Sequence, residues 1–153
     1  MKLSTFILKN TAPFVRLKLN IPSHKHMTVI AGEQGSGKSS LLKHLYHSLT
    51  WFQARSRDLR SSGVVMSEQD MLEQTQTAEL TVSVQISDGL QQFIHTQNTE
   101  PHPNLYTWQL KKSKLSAVET AELEHLAKMY KSANHHDPDY GLPLLAYYPA
   151  ERF

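Results

Sequence analysis

Residues 27–57 place an apolar run, a glycine-rich turn and a leucine-striped segment end to end. Residues 27–31 (MTVIA) are apolar apart from one Thr, the pattern of a strand covered on both faces in a parallel sheet. A helix is predicted from about Gly37 to Arg57. Its residues Leu41, Leu42, Leu45, Tyr46, Leu49 and Phe52 recur at helical spacing and predict one buried stripe. Lys43, His44 and His47 fall off that stripe. Between strand and helix, Gly32-Glu33-Gln34-Gly35-Ser36-Gly37-Lys38-Ser39 fits the pattern G-x-x-x-x-G-K-[ST].

Each residue type in that turn has a chemical reason. Glycine lets the backbone turn sharply and approach a polyphosphate closely. Successive amide N–H groups then converge as an anion nest, and the following helix adds its positive end. Lys38 is placed to reach the β- and γ-phosphates, the Ser39 hydroxyl to ligate Mg²⁺, and Ser40 to donate to the α-phosphate. The strand before and the helix after are the context this pattern requires. The expected nucleotide-binding set is Gly32, Glu33, Gln34, Gly35, Ser36, Gly37, Lys38, Ser39 and Ser40.

Composition narrows the rest. The chain has 153 residues, enough for one domain with its own core. Hydrophobic residues are 39% and charged residues 20%, which excludes wholesale disorder. Without cysteine there is no disulfide framework, thiolate zinc site or cysteine nucleophile. The net charge of +2 is too small to announce a nucleic-acid or membrane partner. No apolar run approaches the roughly 18 residues of a membrane span, and the N-terminus lacks a signal peptide's apolar core. The expected location is the cytoplasm.

The remaining chain reads as mixed α/β. Residues 6–8, a turn at 10–13, and Val15, Leu17, Leu19 and Ile21 in alternation predict an antiparallel hairpin. Residues 61–76 are polar and resist assignment. Leu80, Val82, Val84 and Ile86 alternate as a strand, and Asp88-Gly89 predicts a hairpin turn into a return strand at 90–95. A loop is expected at 98–104, then a strand through Tyr106, Trp108 and Leu110. Ser116-x-x-Glu119 is a capping box expected to open a helix with Leu123, Leu126, Ala127 and Tyr130 on its apolar face. Residues 142–148 (LPLLAYY) predict a final buried strand.

Taken together, these residues resemble a family. The hairpin followed by MTVIAGEQGSGKSSLLKHL is similar to ABC-type ATPase heads of the RecF/SMC class. It is closer still to bacterial AAA-type ATP-binding proteins of virulence-associated and phage-defence type. Ser67-Glu68-Gln69-Asp70 ahead of the alternating strand, the strand with Trp108, and LPLLAYYPAERF carry the likeness further. It spans nearly all of this chain but only the N-terminal portion of the family's head. Gln34 stands where the family usually has Asn, and it keeps the amide. The resemblance implies ATP with Mg²⁺, two heads that sandwich ATP as a dimer, and DNA or an effector nuclease as partner.

Two parts the family needs are missing from the sequence. A Walker B strand, about four apolar residues ending in Asp-Glu, would hold Mg²⁺ and activate water. Asp88 follows an alternating strand and Glu151 follows Pro149, so neither fits. Ile86-Ser87-Asp88-Gly89-Leu90-Gln91 superficially resembles the LSGGQ-like signature, but a hairpin is expected there where a signature opens a helix. The chain therefore reads as the front part of a split or truncated ATPase, with slow or no turnover alone. The rest of the head, or a second ATPase subunit, is the expected partner.

Other candidates have plainer readings. Arg55, Arg57 and Arg60 suit phosphate or DNA contact, or the solvated end of a helix, where cations are favoured. The second reading is preferred. His135-His136-Asp137 lacks a third ligand, as does the pair His44 and His47. Trp108 at strand spacing is preferred as core over an adenine platform. Tyr147, Tyr148 and Arg152 lie where the family senses the γ-phosphate. For Arg152 that reading and a simple exposed C-terminal Arg stand level.

The expected fold is α/β, a P-loop NTPase (a partial ABC-type ATPase head). A central sheet would hold strands 27–31 and 142–148, with an antiparallel β-subdomain beside it. One domain is expected over 1–153, in three parts: 1–60, 61–115 and 116–153. Alternative functions are a small P-loop kinase, with the Arg55–Arg60 cluster as lid, and a non-catalytic nucleotide-dependent assembly module.

Overall fold

A computed structural model describes residues 1–97, 103–113 and 117–149. Strands β1 (Lys2–Thr11) and β2 (Phe14–Asn20) form the expected hairpin. Helix α1 (Lys38–Arg57) follows the glycine-rich turn. After a 3-10 turn at Glu68–Asp70 come β3 (Ala78–Gln85), helix α2 (Asp88–Gln97), β4 (Leu105–Lys112), β5 (Ala117–Glu119) and helix α3 (Ala121–His136). The five strands make one antiparallel sheet in the order β2-β1-β3-β4-β5.

Alternation in the sequence becomes two faces of this sheet. In register across it run Leu19, Phe6, Val82 and Trp108, and beside them Leu17, Leu8, Leu80, Leu110 and Val118. Phe6, Leu8, Leu80 and Val82 are fully buried, with α1 and α3 over this face. The Trp108 indole N–H donates to the Ser48 carbonyl of α1 at 3.0 Å, and Phe52 of α1 meets Tyr130 of α3 edge to face. The opposite face carries Arg16, Lys9, Glu79 and Lys111 in one row. Glu79 pairs there with Lys9 at 3.4 Å and Lys111 at 3.2 Å. One apolar and one solvated face is the usual state of an antiparallel sheet. The antiparallel pairing expected of these strands is thus present, and Trp108 is core.

Residues 61–67, opaque in sequence, run back along α1. The Trp51 indole N–H donates to the Val64 carbonyl and the Val64 amide to the Thr50 hydroxyl, each at 2.9 Å. Arg55 is drawn into the same packing. It donates to the Leu59 carbonyl, lies over the Trp51 ring, and approaches Glu124 at 3.8 Å. Arg57 is exposed. Arg60 is exposed as well, so within the cluster Arg55 is the residue tied into the packing.

Six expectations are corrected. Residues 27–31 form no strand: Met27 is 79% and Val29 76% exposed. A continuous apolar strand needs hydrogen-bonded neighbours on its edges, and the observed strand order leaves 27–31 with none. Residues 142–148 likewise form no strand, with Leu144 91% exposed. The anticipated parallel central sheet is therefore replaced by the single antiparallel one. Residues 88–95 belong to α2, not to a return strand. Leu90 and Ile94 share a buried helical face, and the Ser87 hydroxyl accepts from the Leu90 amide. The stripe on α1 also differs, because Leu41, His44, Ser48, Trp51 and Phe52 are buried while Leu42 is exposed. Finally, Glu119 lies in β5 and α3 opens at Ala121 with Thr120 before it; Ser116 and most of 98–104 lie outside the described residues.

Candidate functional site

The glycine-rich turn adopts the backbone its composition requires. Gly35 (φ +80°) and Gly37 (φ +87°) are left-handed, a region that side chains with a Cβ rarely enter. Gly32 faces the Ser36 hydroxyl so closely that a Cβ there would lie 2.8 Å from it. At Gly37 an added Cβ would lie 2.8 Å from both Pro13 and Phe14. The tip of the β1–β2 hairpin is therefore packed against the loop.

Lys38 opens α1 and folds back over the turn. Its ammonium donates to the carbonyls of Gly32 (2.7 Å) and Glu33 (2.5 Å) and lies 3.3 Å from the Ser36 hydroxyl. Helix α1 has no side-chain cap and no acidic residue in its first turn. Its positive end is thus uncompensated, and a lysine stands where a helix ordinarily favours an anion. Glu33, Gln34 and Ser39 are exposed, while Ser40 is half-buried. The sequence-predicted residues 32–40 come together in one loop and helix start, with the Ser39 side chain exposed.

Beside the loop lies a cleft of about 340 Å³. Gly35, Gly37 and Ser40 form one wall, Ala12 and Pro13 of the hairpin tip a second, and Gln69 and Asp70 a third; Lys43 and His44 complete it. The 3-10 segment is pinned to the tip by Ala12 N–H donating to the Asp70 carbonyl, and by Leu72 N–H donating to the Asn10 carbonyl, each at 2.9 Å. The Asp70 carboxylate accepts from Lys43 at 2.8 Å and from the Ser67 amide and hydroxyl, each at 2.8 Å.

Asp70, Lys43 and His44 were not singled out as site residues by the sequence. His44 is 2% exposed; it holds position in the series 41, 44, 48, 51, but a search for apolar periodicity passes over a histidine. Desolvation works against the Asp70 carboxylate, yet the bonds from Lys43 and Ser67 prevail and hold its pKa at about 2, against an ordinary 3.8. A depressed carboxyl stabilises the fold above its unfolded pKa, and that contribution fades as pH falls towards 2. The difference corresponds to on the order of 2 kcal/mol. In urea titrations, Asp70→Asn is expected to be less stable than the parent by about that amount at neutral pH. The gap should shrink steadily between pH 5 and 2.5; a constant gap would refute the ion-pair account.

Other candidates separate from this cleft. Tyr147 stacks on Tyr46 of α1, ring centres 4.8 Å apart, and Tyr148 is exposed. Arg152 and Glu151 lie outside the described residues. His135 and His136 end α3, and His136 lies against Phe93. Among the described residues no group of three or more His, Cys, Asp or Glu is placed to hold a metal ion. No described helix is long and apolar enough to cross a membrane.

No protein-family model and no curated protein matches the chain. Among solved structures it is similar to an SMC ATPase, with 12% identity, 84% of this chain and 79% of that chain covered, and a TM-score of 0.50. That structure was described for ATP-driven dimerization and DNA-stimulated activation of SMC ATPases. The fold is therefore similar to that of an SMC ATPase.

Proposed function

We propose that the chain binds ATP with Mg²⁺ through residues 32–40 and does not turn it over alone. The observation carrying this is the pair of left-handed glycines, Gly35 and Gly37, leading into an uncapped helix with Lys38 folded over the turn. A triphosphate would take over the Lys38 hydrogen bonds and answer the exposed amides and the positive helix end. Mg²⁺ would be held by the Ser39 hydroxyl, phosphate oxygens and water, in keeping with its preference for hard oxygen ligands. The cleft at Ala12, Pro13 and Ser40 suits the nucleoside end. ATP is preferred over GTP on the likeness to the SMC ATPase fold.

The test is titration of the folded protein with Mg²⁺ and ATP, with phosphate release followed in parallel. Saturable binding below millimolar, with no multiple-turnover release, is the expected result. No saturation at millimolar ligand removes the binding proposal. Steady hydrolysis that is lost in Lys38→Ala removes the non-catalytic one. Helix α2 meets one requirement of a signature loop at 86–91, but the apolar run ending in Asp-Glu that should follow is not in the sequence.

The assembly reading has an observation of its own. Residues 27–31 and 142–148 carry strand patterns in sequence yet expose Met27, Val29, Leu142, Leu144 and Tyr148, and Tyr147 lies on the face of α1 that carries Tyr46. We infer that further polypeptide, from the same or a second ATPase chain, supplies the strands that would pair with them. A second head, DNA or an effector nuclease remains part of this proposal by analogy with that fold. The kinase reading is weaker, since Arg55 of its candidate lid is occupied by Leu59, Trp51 and Glu124.

A further inference from the structure

His44 is buried in the wall of the cleft, six residues into α1 from Lys38, and is not needed to bind phosphate. Its Nε2 lies 3.1 Å from the Ala12 carbonyl. That carbonyl is an acceptor, so Nε2 carries the proton and Nδ1 is a bare lone pair; Nδ1 is buried without a partner. Next to it, Lys43 grips Asp70, whose own carbonyl holds the Ala12 amide. Two consecutive residues of α1 thus tie the helix to both other walls, the hairpin tip and the 3-10 segment.

We propose that His44 is a proton-sensitive positioning residue: while neutral it clamps the hairpin tip to α1, and on gaining a proton it loosens the cleft and lowers nucleotide affinity. This rests on the nucleotide-binding reading above. A proton on Nδ1 would bury a charge and a donor with no acceptor. The groups that face the imidazole are Lys43 and His47 on its own helix, Asp70 on the 3-10 segment, and the Ala12 carbonyl at the tip. Among the described residues, no charged side chain of β3 or α3 bears on it. The Ala12 carbonyl and Asp70 both favour the imidazolium, but neither is a hydrogen-bond partner of Nδ1, and the Asp70 oxygens already serve Lys43 and Ser67. Burial is the largest influence and pushes the His44 pKa down, so charging it works against the closed arrangement.

The experiment compares the parent chain, His44→Gln and His44→Ala. Gln places an amide N–H near the Nε2 position but does not titrate. Dissociation constants for Mg²⁺-ATP are measured at pH 7.5 and 5.5, and amide exchange at Ala12 and Leu72 is followed without nucleotide. Protonation of the γ-phosphate weakens all three alike. Beyond that shared change, the parent should lose at least five-fold more affinity than His44→Gln on acidification. At pH 7.5 His44→Ala should bind several-fold more weakly than the parent, with His44→Gln between them, and at pH 5.5 the parent should fall towards His44→Ala. Ala12 protection should fall at pH 5.5 in the parent but not in His44→Gln. Parallel affinity profiles for the parent and His44→Gln, or tip protection independent of pH in both, would overturn the proposal. If the parent binds no nucleotide at pH 7.5, the proposed function fails and the exchange measurement alone decides whether the clamp exists.

Discussion

Replacing Lys38 with alanine is expected to weaken Mg²⁺-ATP binding by at least about 100-fold, or about 2.7 kcal/mol, without lowering the melting temperature. The two halves of this expectation have separate causes. The ammonium has its hydrogen bonds within the turn, to the Gly32 and Glu33 carbonyls, and reaches no side chain of the core. It also sits at the positive end of α1, whose first turn holds no acidic residue, an arrangement that costs a helix a few tenths of a kcal/mol. Removing it should leave the fold unharmed or slightly firmer. The same charge is the cation best placed to meet a triphosphate, and charge-assisted bonds contribute more than neutral ones. Isothermal titration and a thermal melt on the same sample make the check. Unchanged affinity in Lys38→Ala would refute the assignment of residues 32–40, whereas a large drop in melting temperature would make the lysine structural.

Trp108→Ala should do the reverse, costing about 3–5 kcal/mol of stability. Its ring fills the row that contains Phe6 and Val82, and its indole N–H serves the Ser48 carbonyl, tying sheet to helix. Truncation leaves a cavity and removes the second donor from the Ser48 carbonyl, which keeps its helical bond. Trp108→Phe keeps most of the packing and loses the hydrogen bond, so about 1–2 kcal/mol is expected. Urea unfolding measures both. An indole used as a base platform would behave differently: its loss would reduce nucleotide affinity and leave the unfolding midpoint in place.

Much of the fold is legible in the order of residues. The hairpin, β3, β4, α1 and the apolar face of α3 follow from periods of two and about 3.6. Where reading failed, the cause can be named. Asp88-Gly89 has good turn chemistry, yet Leu90 and Ile94 find a buried helical face that makes α2 the better use of the segment. The capping box at 116–119 competes with edge pairing of β5 on β4, which takes Glu119 opposite Gln109. Apolar spacing alone places Leu42 on the buried stripe of α1; the helix instead turns His44 and Ser48 inward, where the Ala12 carbonyl and the Leu45 carbonyl answer them.

The contrast between residues 27–31 and 32–40 shows where local chemistry ends. The turn at 32–40 is written in short range: glycines at left-handed positions, a lysine at the helix start and serines after it fix the backbone within nine residues. Burial is not written that way. Whether MTVIA or LPLLAYY becomes a strand depends on hydrogen-bonded neighbours from distant chain, and neither segment finds them in the sheet as built. The cleft has the same dependence. Ala12, His44 and Asp70 are separated by tens of residues and gain their roles when the hairpin tip, α1 and the 3-10 segment meet.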